Sequence, residues 1–270
     1  MTRPYAEVIG DPIAHSKSPL IHNFWLKKLG IDAEYRACHV RAQELNDYFA
    51  QRRKDPNWRG CNVTLPHKVA AIEFIDNAEL ARLAPGAINT VARGNGGALT
   101  GANTDAGGFL RPLADHPVAG IEAIVIGTGG AARGILSALA SKRMASVSIM
   151  ARDVAKAAAL LEEFGLAGRA LPLNAPLPAA GLLVNASVLG MAGHPGFTPD
   201  LDSVPADAIV YDIVYSPLVT PLLASARARN LATIDGLEML IGQAALAFTL
   251  LFGSTPPGDY DAELRSLLVA

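Results

Sequence analysis

The segment Ile121-Glu-Ala-Ile-Val-Ile126 runs directly into Gly127-Thr-Gly-Gly-Ala-Ala132. A near-continuous apolar run of this length is expected of a strand buried on both faces, and the glycines after it mark a tight turn into a helix. A helix is predicted over roughly 131–142, and Ser146-Val-Ser-Ile-Met150 follows as a second strand. The whole is a βαβ unit of about 30 residues, the element from which parallel α/β sheets are built. Within it, Gly127-x-Gly129-x-x-Ala132 fits a dinucleotide fingerprint. The first glycine permits the turn, the second lets backbone approach a pyrophosphate, and the small third residue allows helix and strand to pack closely. The helix N-terminus offers unpaired amides and a partial positive charge to the same anion. The bland alternative is a tight βα turn with no ligand.

The end of the second strand bears on the cofactor. An acidic residue there accepts ribose hydroxyls in NAD sites, whereas NADP sites place a cation near the 2′-phosphate. Ala151-Arg152-Asp153 and Lys156 supply both chemistries. Asp153 has another possible task as the cap of a helix from 154 onward, so two cations favour NADP over NAD.

Further strands are predicted over 181–185, 208–213 and 231–235, which extend the unit into a doubly wound parallel sheet. Toward the N-terminus, Tyr5–Ile9, 33–40, 60–64 and 88–92 read as strands. Ser18-Pro19 reads as N-cap and first residue of a helix that ends at Gly30, and helices are predicted over 42–53 and 68–76. The last 35 or so residues are helical in pattern and are expected to pack back on the N-terminal half.

Half of the 270 residues are hydrophobic and 18% are charged, so extensive burial is expected and disorder is not. A net charge of −2 gives no positive field for nucleic acid or an anionic membrane. Cys38 and Cys61 are too few for a disulfide framework or a zinc site and read as reduced thiols. Charge, proline and glycine interrupt the first ten residues before a signal-peptide core could form, and the apolar stretch 236–253 carries Glu238 and Gln243. A soluble cytoplasmic protein is expected.

Polar groups concentrate where the N-terminal loops meet strands: Ser16-Lys-Ser-Pro19, Asn62-Val-Thr-Leu-Pro-His-Lys68, and Asn89-Thr90 with Gly101-Ala-Asn-Thr-Asp105. Hydroxyls, amides, one cation and one carboxylate suit a polyhydroxylated carboxylic acid, and Lys68 with Asp105 suit proton transfer. Singly, each has a duller reading: Ser18 as a cap, Lys68 as a solvated first-turn residue, Asp105 as a turn former.

These segments, with Gly86-Ala-Ile-Asn-Thr90, Gly127-Thr-Gly-Gly-Ala131, Asn185-Ala-Ser187, Leu189-Gly-Met191, Asp212-Ile-Val-Tyr215, Thr220-Pro221 and Asp235-Gly-Leu-Glu-Met239 with Gln243, resemble the ordered motif set of the shikimate dehydrogenase family. The resemblance covers nearly the whole chain. It implies an α/β substrate domain of residues 1–104 plus 238–270 and a Rossmann-like NADP-binding domain of residues 105–237. It also implies reversible NADPH-dependent reduction of 3-dehydroshikimate to shikimate, in chorismate and aromatic amino acid biosynthesis. By position, Ser16 and Ser18 would bind the substrate carboxylate, and Thr64, Asn89 and Gln243 its hydroxyls. Tyr215 would approach the substrate, and Lys68 and Asp105 would form the catalytic pair, Asp105 also contacting substrate. Gly127, Thr128, Gly129, Gly130, Ala131, Arg152, Lys156, Ile213 and Gly236 would line the cofactor site. No metal is implied, and His15 and His67 read as loop residues.

The chain departs from the family pattern at Ala151-Arg152-Asp153, where Asn-Arg-Thr is frequent, at Lys156, where arginine is frequent, at Gly242 for histidine and at Ile213 for methionine. An NAD-dependent quinate/shikimate dehydrogenase is the nearest alternative, and a non-catalytic dinucleotide or shikimate sensor a more distant one. Monomer and homodimer are equally open.

Overall fold

The computed structural model describes residues 3–76 and 86–269. The chain divides into two compact units, Met1–Thr104 with Gln243–Ala270, and Asp105–Gly242. It crosses back to the first unit within the helix Gly236–Phe252.

In the first unit, β1 (Tyr5–Gly10), β2 (Glu34–His39), β3 (Trp58–Val63), β4 (Thr90–Arg93) and β5 (Leu99–Ala102) form one sheet in the order β2-β1-β3-β4-β5. β1 is parallel to β2 and β3, whereas β3–β4 and β4–β5 are antiparallel. Ile9, Phe49, Trp58, Ile88, Val91 and Leu99 anchor one core beneath this sheet. The helix Ser18–Leu29 ends at Gly30 in the left-handed region, φ 62°, which glycine adopts without penalty. The C-terminal helix Asp261–Val269 docks on it, with Lys17 Nζ donating to the Leu268 carbonyl at 2.6 Å and Lys28 paired with Glu263. The C-terminal helix thus packs on N-terminal residues of its unit.

Two local readings are corrected. Ser18 is the first helical residue and not the cap; Lys17 holds the cap position, and the Ser18 amide donates to Ser16 Oγ at 3.3 Å. Residues 68–76 form a turn followed by a 3₁₀ stretch, Ala70–Phe74, since Pro66 and the short span leave no room for α-helical propagation.

His22 is fully buried, stacked on Tyr35 with ring centroids 4.0 Å apart, and neither ring nitrogen has a hydrogen-bond partner among the described residues. Burial disfavours the imidazolium and pushes its pKa down to about 3. The unfolded chain therefore binds a proton near pH 6.5 that the folded chain refuses until about pH 3, so stability falls as pH drops through that window. Moving from pH 7.5 to 5.5 is expected to cost about 1.4 kcal/mol through this residue. Both tryptophans, Trp25 and Trp58, are buried in the first unit, so their fluorescence in a urea titration reports on it. His22→Phe should remove this component, and an equal acid sensitivity in variant and wild type would refute it.

In the second unit, β6 (Glu122–Ile126), β7 (Ser146–Ala151), β8 (Ala170–Pro172), β9 (Leu182–Asn185), β10 (Ile209–Asp212) and β11 (Ala232–Ile234) form an all-parallel sheet in the order β11-β10-β9-β6-β7-β8. Ile124, Val125, Ile126, Leu182, Leu183 and Val184 are essentially inaccessible, as expected for central strands covered on both faces. Helices Gly130–Ala140 and Val154–Glu163 pack on one core, and Pro221–Ala228 supplies Leu222, Leu223 and Ala226 to the other. The strand order reverses between β6 and β9, where open α/β sheets bind ligands at the carboxyl ends of their strands. Among the described residues, no helix is long and apolar enough to cross a membrane.

Candidate active site

In the first unit the polar stretches 62–68, 88–90 and 102–104 converge at the carboxyl end of β3. The Val63 amide donates to the Asn89 carbonyl at 2.8 Å, Ile88 to the Lys68 carbonyl at 2.8 Å, and Asn89 to the Ala102 carbonyl at 3.0 Å. Thr64 lies so near β1 that a Cβ on Gly10 would sit 2.6 Å from its methyl group. Main-chain bonds thus fix the three stretches 63–68, 88–90 and 102–104 against one another.

Side chains complete a network on this frame. Asn89 Nδ2 donates to Thr104 Oγ1 at 2.9 Å and to Gln243 Oε1 at 3.3 Å, while its Oδ1 accepts from the Thr104 amide at 2.7 Å. Behind it, Asn62 Nδ2 donates to Thr90 Oγ1 at 2.9 Å, and the Tyr35 hydroxyl donates to Asn62 Oδ1 at 2.6 Å. Asn89 and Gln243, 154 positions apart in the chain, are therefore hydrogen-bonded neighbours. Sequence reasoning does not single out Asn62, Thr90 and Thr104 as site residues, although they lie in the same polar segments. Their signal is this clustering; their pairing with Asn89 is visible only in the structure.

Thr64, Ser16 and Lys68 are half-buried and Ser18 is buried. His67 is 1% exposed, and its Nε2 lies 2.6 Å from the Val40 carbonyl, so it braces the turn that carries Lys68. Asp105, buried, opens the helix Asp105–Leu110 of the second unit, immediately after Thr104 in the chain.

In the second unit the glycine turn has the backbone its sequence requires. Gly127 has φ 109°, and a Cβ there would lie 3.1 Å from the Ala186 carbonyl oxygen and from Ser187 Cβ. Any other residue would be strained and crowded at this position. A Cβ on Gly129 would meet nothing within 4 Å, so space is open above the turn. The helix Gly130–Ala140 has Gly129 at its N-cap with no side-chain cap, which leaves its first amides for an anion, and Ala132 packs with no exposed surface. Thr128, Gly130 and Ala131 flank the turn, partly accessible.

Beyond β7, Arg152 lines an open pocket of about 430 Å³ together with Pro172, Leu173, Asn174, Leu189 and Phe197. Asp153 Oδ1 accepts from the Lys156 amide at 2.9 Å and caps the helix Val154–Glu163. The carboxylate thereby takes the helix-capping task its position suggests, while Arg152 and Lys156 are exposed. This arrangement fits a dinucleotide with a phosphorylated ribose: a cradle at Gly127–Gly130 and a cation beside a partly apolar pocket.

Gly236 owes its identity to packing. A Cβ there would lie 2.3 Å from the Ile213 carbonyl oxygen and 2.5 Å from that of Val214. Gly242 is equally constrained, since a Cβ would approach Gly108 Cα to 3.0 Å, so the close approach of two helices accounts for the missing histidine. Tyr215 is partly accessible after β10, and burial raises its phenol pKa above 10.

Comparison with known proteins gives matches along the chain. Residues 8–91 match the shikimate dehydrogenase substrate binding domain, 113–180 match shikimate / quinate 5-dehydrogenase, and 236–262 match the shikimate 5′-dehydrogenase C-terminal domain. The shikimate dehydrogenase (NADP(+)) of Sphingopyxis alaskensis is 57% identical over 99% of this chain and 97% of its own. Shikimate 5-dehydrogenase from Thermus thermophilus, solved in complex with NADP(H) and shikimate, superposes with a TM-score of 0.83 at 34% identity, covering 98% of this chain and 99% of its own. The ligand-free 5-ketofructose reductase of a Gluconobacter strain gives a TM-score of 0.88 at 31% identity, with 99% of each chain covered.

Proposed function

The chain belongs to the shikimate dehydrogenase family, and from that premise we propose that it reduces 3-dehydroshikimate reversibly to shikimate with NADPH, using Lys68 and Asp105 as its acid–base pair. It is an oxidoreductase of aromatic amino acid biosynthesis. The observation that carries the substrate assignment is the meeting of Asn89, Thr104 and Gln243 beside the Lys68 turn. Amide and hydroxyl groups held by one another are a preorganised floor for a ring bearing several hydroxyls, and Ser16 and Ser18 supply donors for its carboxylate.

The dinucleotide, when bound, supplies the hydride. The chain's residues hold and orient it: the amides at Gly129–Ala131 take the diphosphate, and Arg152 takes the 2′-phosphate, with Lys156 as a second cation. As negative charge grows on the substrate's carbonyl oxygen, the Lys68 ammonium stabilises it and gives it a proton. Asp105 orients that ammonium and shares its proton, and in the reverse direction the proton returns from the substrate hydroxyl to Lys68. Tyr215, Ile213 and Gly236 shape the wall beside the reacting carbon.

The NAD-dependent quinate alternative draws its support from Asp153, whose carboxylate serves as a helix cap. Steady-state kinetics on shikimate and quinate with NADP and NAD test the assignment. Arg152→Ala should raise KM for NADPH about tenfold and leave that for NADH little changed, the lower end of roughly 1.5–3 kcal/mol for a charge-assisted bond at an exposed side chain. Equal losses for both dinucleotides would place Arg152 elsewhere, and efficient quinate turnover or an NAD preference in the wild type would overturn the assignment.

A further inference from the structure

The motifs Asn185-Ala-Ser187, Asp212 and Thr220-Pro221 have no part in the chemistry above, yet they form a densely bonded polar cluster of the second unit. Asn185 ends β9 and Asp212 ends β10, paired in register on adjacent strands, and neither has exposed surface. Asn185 Nδ2 donates to Asp212 Oδ1 at 2.9 Å and to the Leu189 carbonyl at 2.9 Å. The Thr220 hydroxyl donates to Asp212 Oδ2 at 2.7 Å, and the Val214 amide to Oδ1 at 3.0 Å. Thr220 Oγ1 in turn caps the helix Pro221–Ala228.

Among the described residues, no cation is a partner of this carboxylate. Burial raises its pKa against the lowering effect of its three donors. A buried anion without a counter-charge is a costly way to join two strands, and well-packed apolar side chains would serve stability at least as well. What the carboxylate provides instead is direction: it fixes the exit of β10 at Val214 and, through Asn185, the turn after β9.

That turn reaches the glycine loop. Asn185 Oδ1 accepts from the Ser187 hydroxyl at 2.7 Å and from its amide at 3.2 Å, and Ser187 Oγ accepts from the Leu189 amide at 3.2 Å. Ser187 Cβ and the Ala186 carbonyl are the atoms that a Cβ on Gly127 would strike, and the Ala186 amide donates to the Ile126 carbonyl at 2.9 Å. A continuous series of contacts therefore runs from Thr220 through Asp212, Asn185 and Ser187 to Gly127.

We propose that Asp212 is a positioning residue for the dinucleotide: with Asn185 and Thr220 it locks the turns after β9 and β10, holds Ser187 against Gly127, and so sets affinity at the glycine loop. This rests on the dinucleotide-binding reading given above. Because sheet pairing keeps β9 and β10 adjacent without the lock, its loss loosens the turns and leaves the strands in place.

The test is NADPH binding, followed by nucleotide fluorescence in the absence of substrate, for wild type, Asp212→Asn, Thr220→Val and Thr220→Ser. Thr220→Val and Asp212→Asn are expected to raise Kd about tenfold, the scale of one lost charge-assisted hydrogen bond, and Thr220→Ser to restore it to near the wild-type value. Calorimetric affinity for shikimate alone is expected to change less than that for NADPH, because Ser16, Ser18, Thr64, Asn89 and Gln243 belong to the other unit. If Asp212→Asn does not fold, Thr220→Val and its serine rescue carry the test. A lowered Tm with unchanged Kd for NADPH would overturn the proposal and leave the cluster a purely structural one. A wild-type protein that binds no NADPH would instead overturn the dinucleotide reading itself.

Discussion

Lys68→Ala is expected to lower kcat by roughly 10²–10⁴-fold with a much smaller change in KM for shikimate, the range for loss of a general acid–base group. The lysine lies in the turn that follows β3, and the main chain there is held independently of the side chain: the Lys68 carbonyl accepts from Ile88, and His67 braces the turn at Val40. Truncation to alanine therefore removes the ammonium and keeps the frame. In the role proposed for Lys68 the loss falls on kcat, because the interaction would strengthen as charge develops on the oxygen and contribute less while the ground-state carbonyl is neutral. Lys68→Arg separates the two parts of the role. Arginine restores a positive charge but holds its proton too tightly to give it up, so kcat should stay low if proton transfer matters. Initial-rate kinetics in both directions, with Tm measured alongside, provide the readout. A raised KM at near-normal kcat would reduce Lys68 to a binding residue.

Glu7→Ala should destabilise the first unit by about 3 kcal/mol, the lower end of what breaking a buried ion cluster costs. Glu7 is 1% exposed in the middle of β1. Its Oε1 accepts from Arg36 Nε at 3.0 Å and Arg52 at 3.1 Å, and its Oε2 from Arg52 Nε at 2.8 Å and the Tyr48 hydroxyl at 2.8 Å. Removing the carboxylate leaves three donor side chains without their acceptor. Arg36, whose side chain is 44% exposed, can turn to water, but Arg52 at 21% and the buried Tyr48 cannot do so freely. Glu7→Gln should lose less, since an amide oxygen still accepts from the tyrosine. The urea midpoint read by tryptophan fluorescence measures this, because Trp25 and Trp58 both belong to the affected unit. A change under about 1 kcal/mol would show that the arginines find other partners at little cost.

Local pattern determined a great deal here. The run Ile121–Ile126, the glycines after it and the apolar strand at 146–150 specify the βαβ unit through side-chain period and turn chemistry, both of which act over a few residues. The capping role of Asp153 is legible as a possibility for the same reason, because a cap and its amide lie three residues apart. Elements without such a signal escape notice. β8 spans three residues and ends in proline, β5 is Leu-Thr-Gly-Ala with little alternation, and the helix Asp105–Leu110 contains two glycines. These form because a neighbouring strand or helix offers them pairing and burial, which no local pattern records.

The sequence also concentrates most of the candidate substrate-site residues in three short segments. Their mutual arrangement comes from elsewhere. The order β2-β1-β3-β4-β5 places Asn62 beside Thr90, and the return of the C-terminal chain brings Gln243 to Asn89. In the other unit, the order β10-β9-β6 is what joins Asp212, Asn185, Ser187 and Gly127. Residue types and their short-range spacing set which chemistry the chain carries, because propensity and periodicity are local. Which groups touch is set by strand order and register, fixed by burial over tens to hundreds of positions, and only the folded molecule decides that.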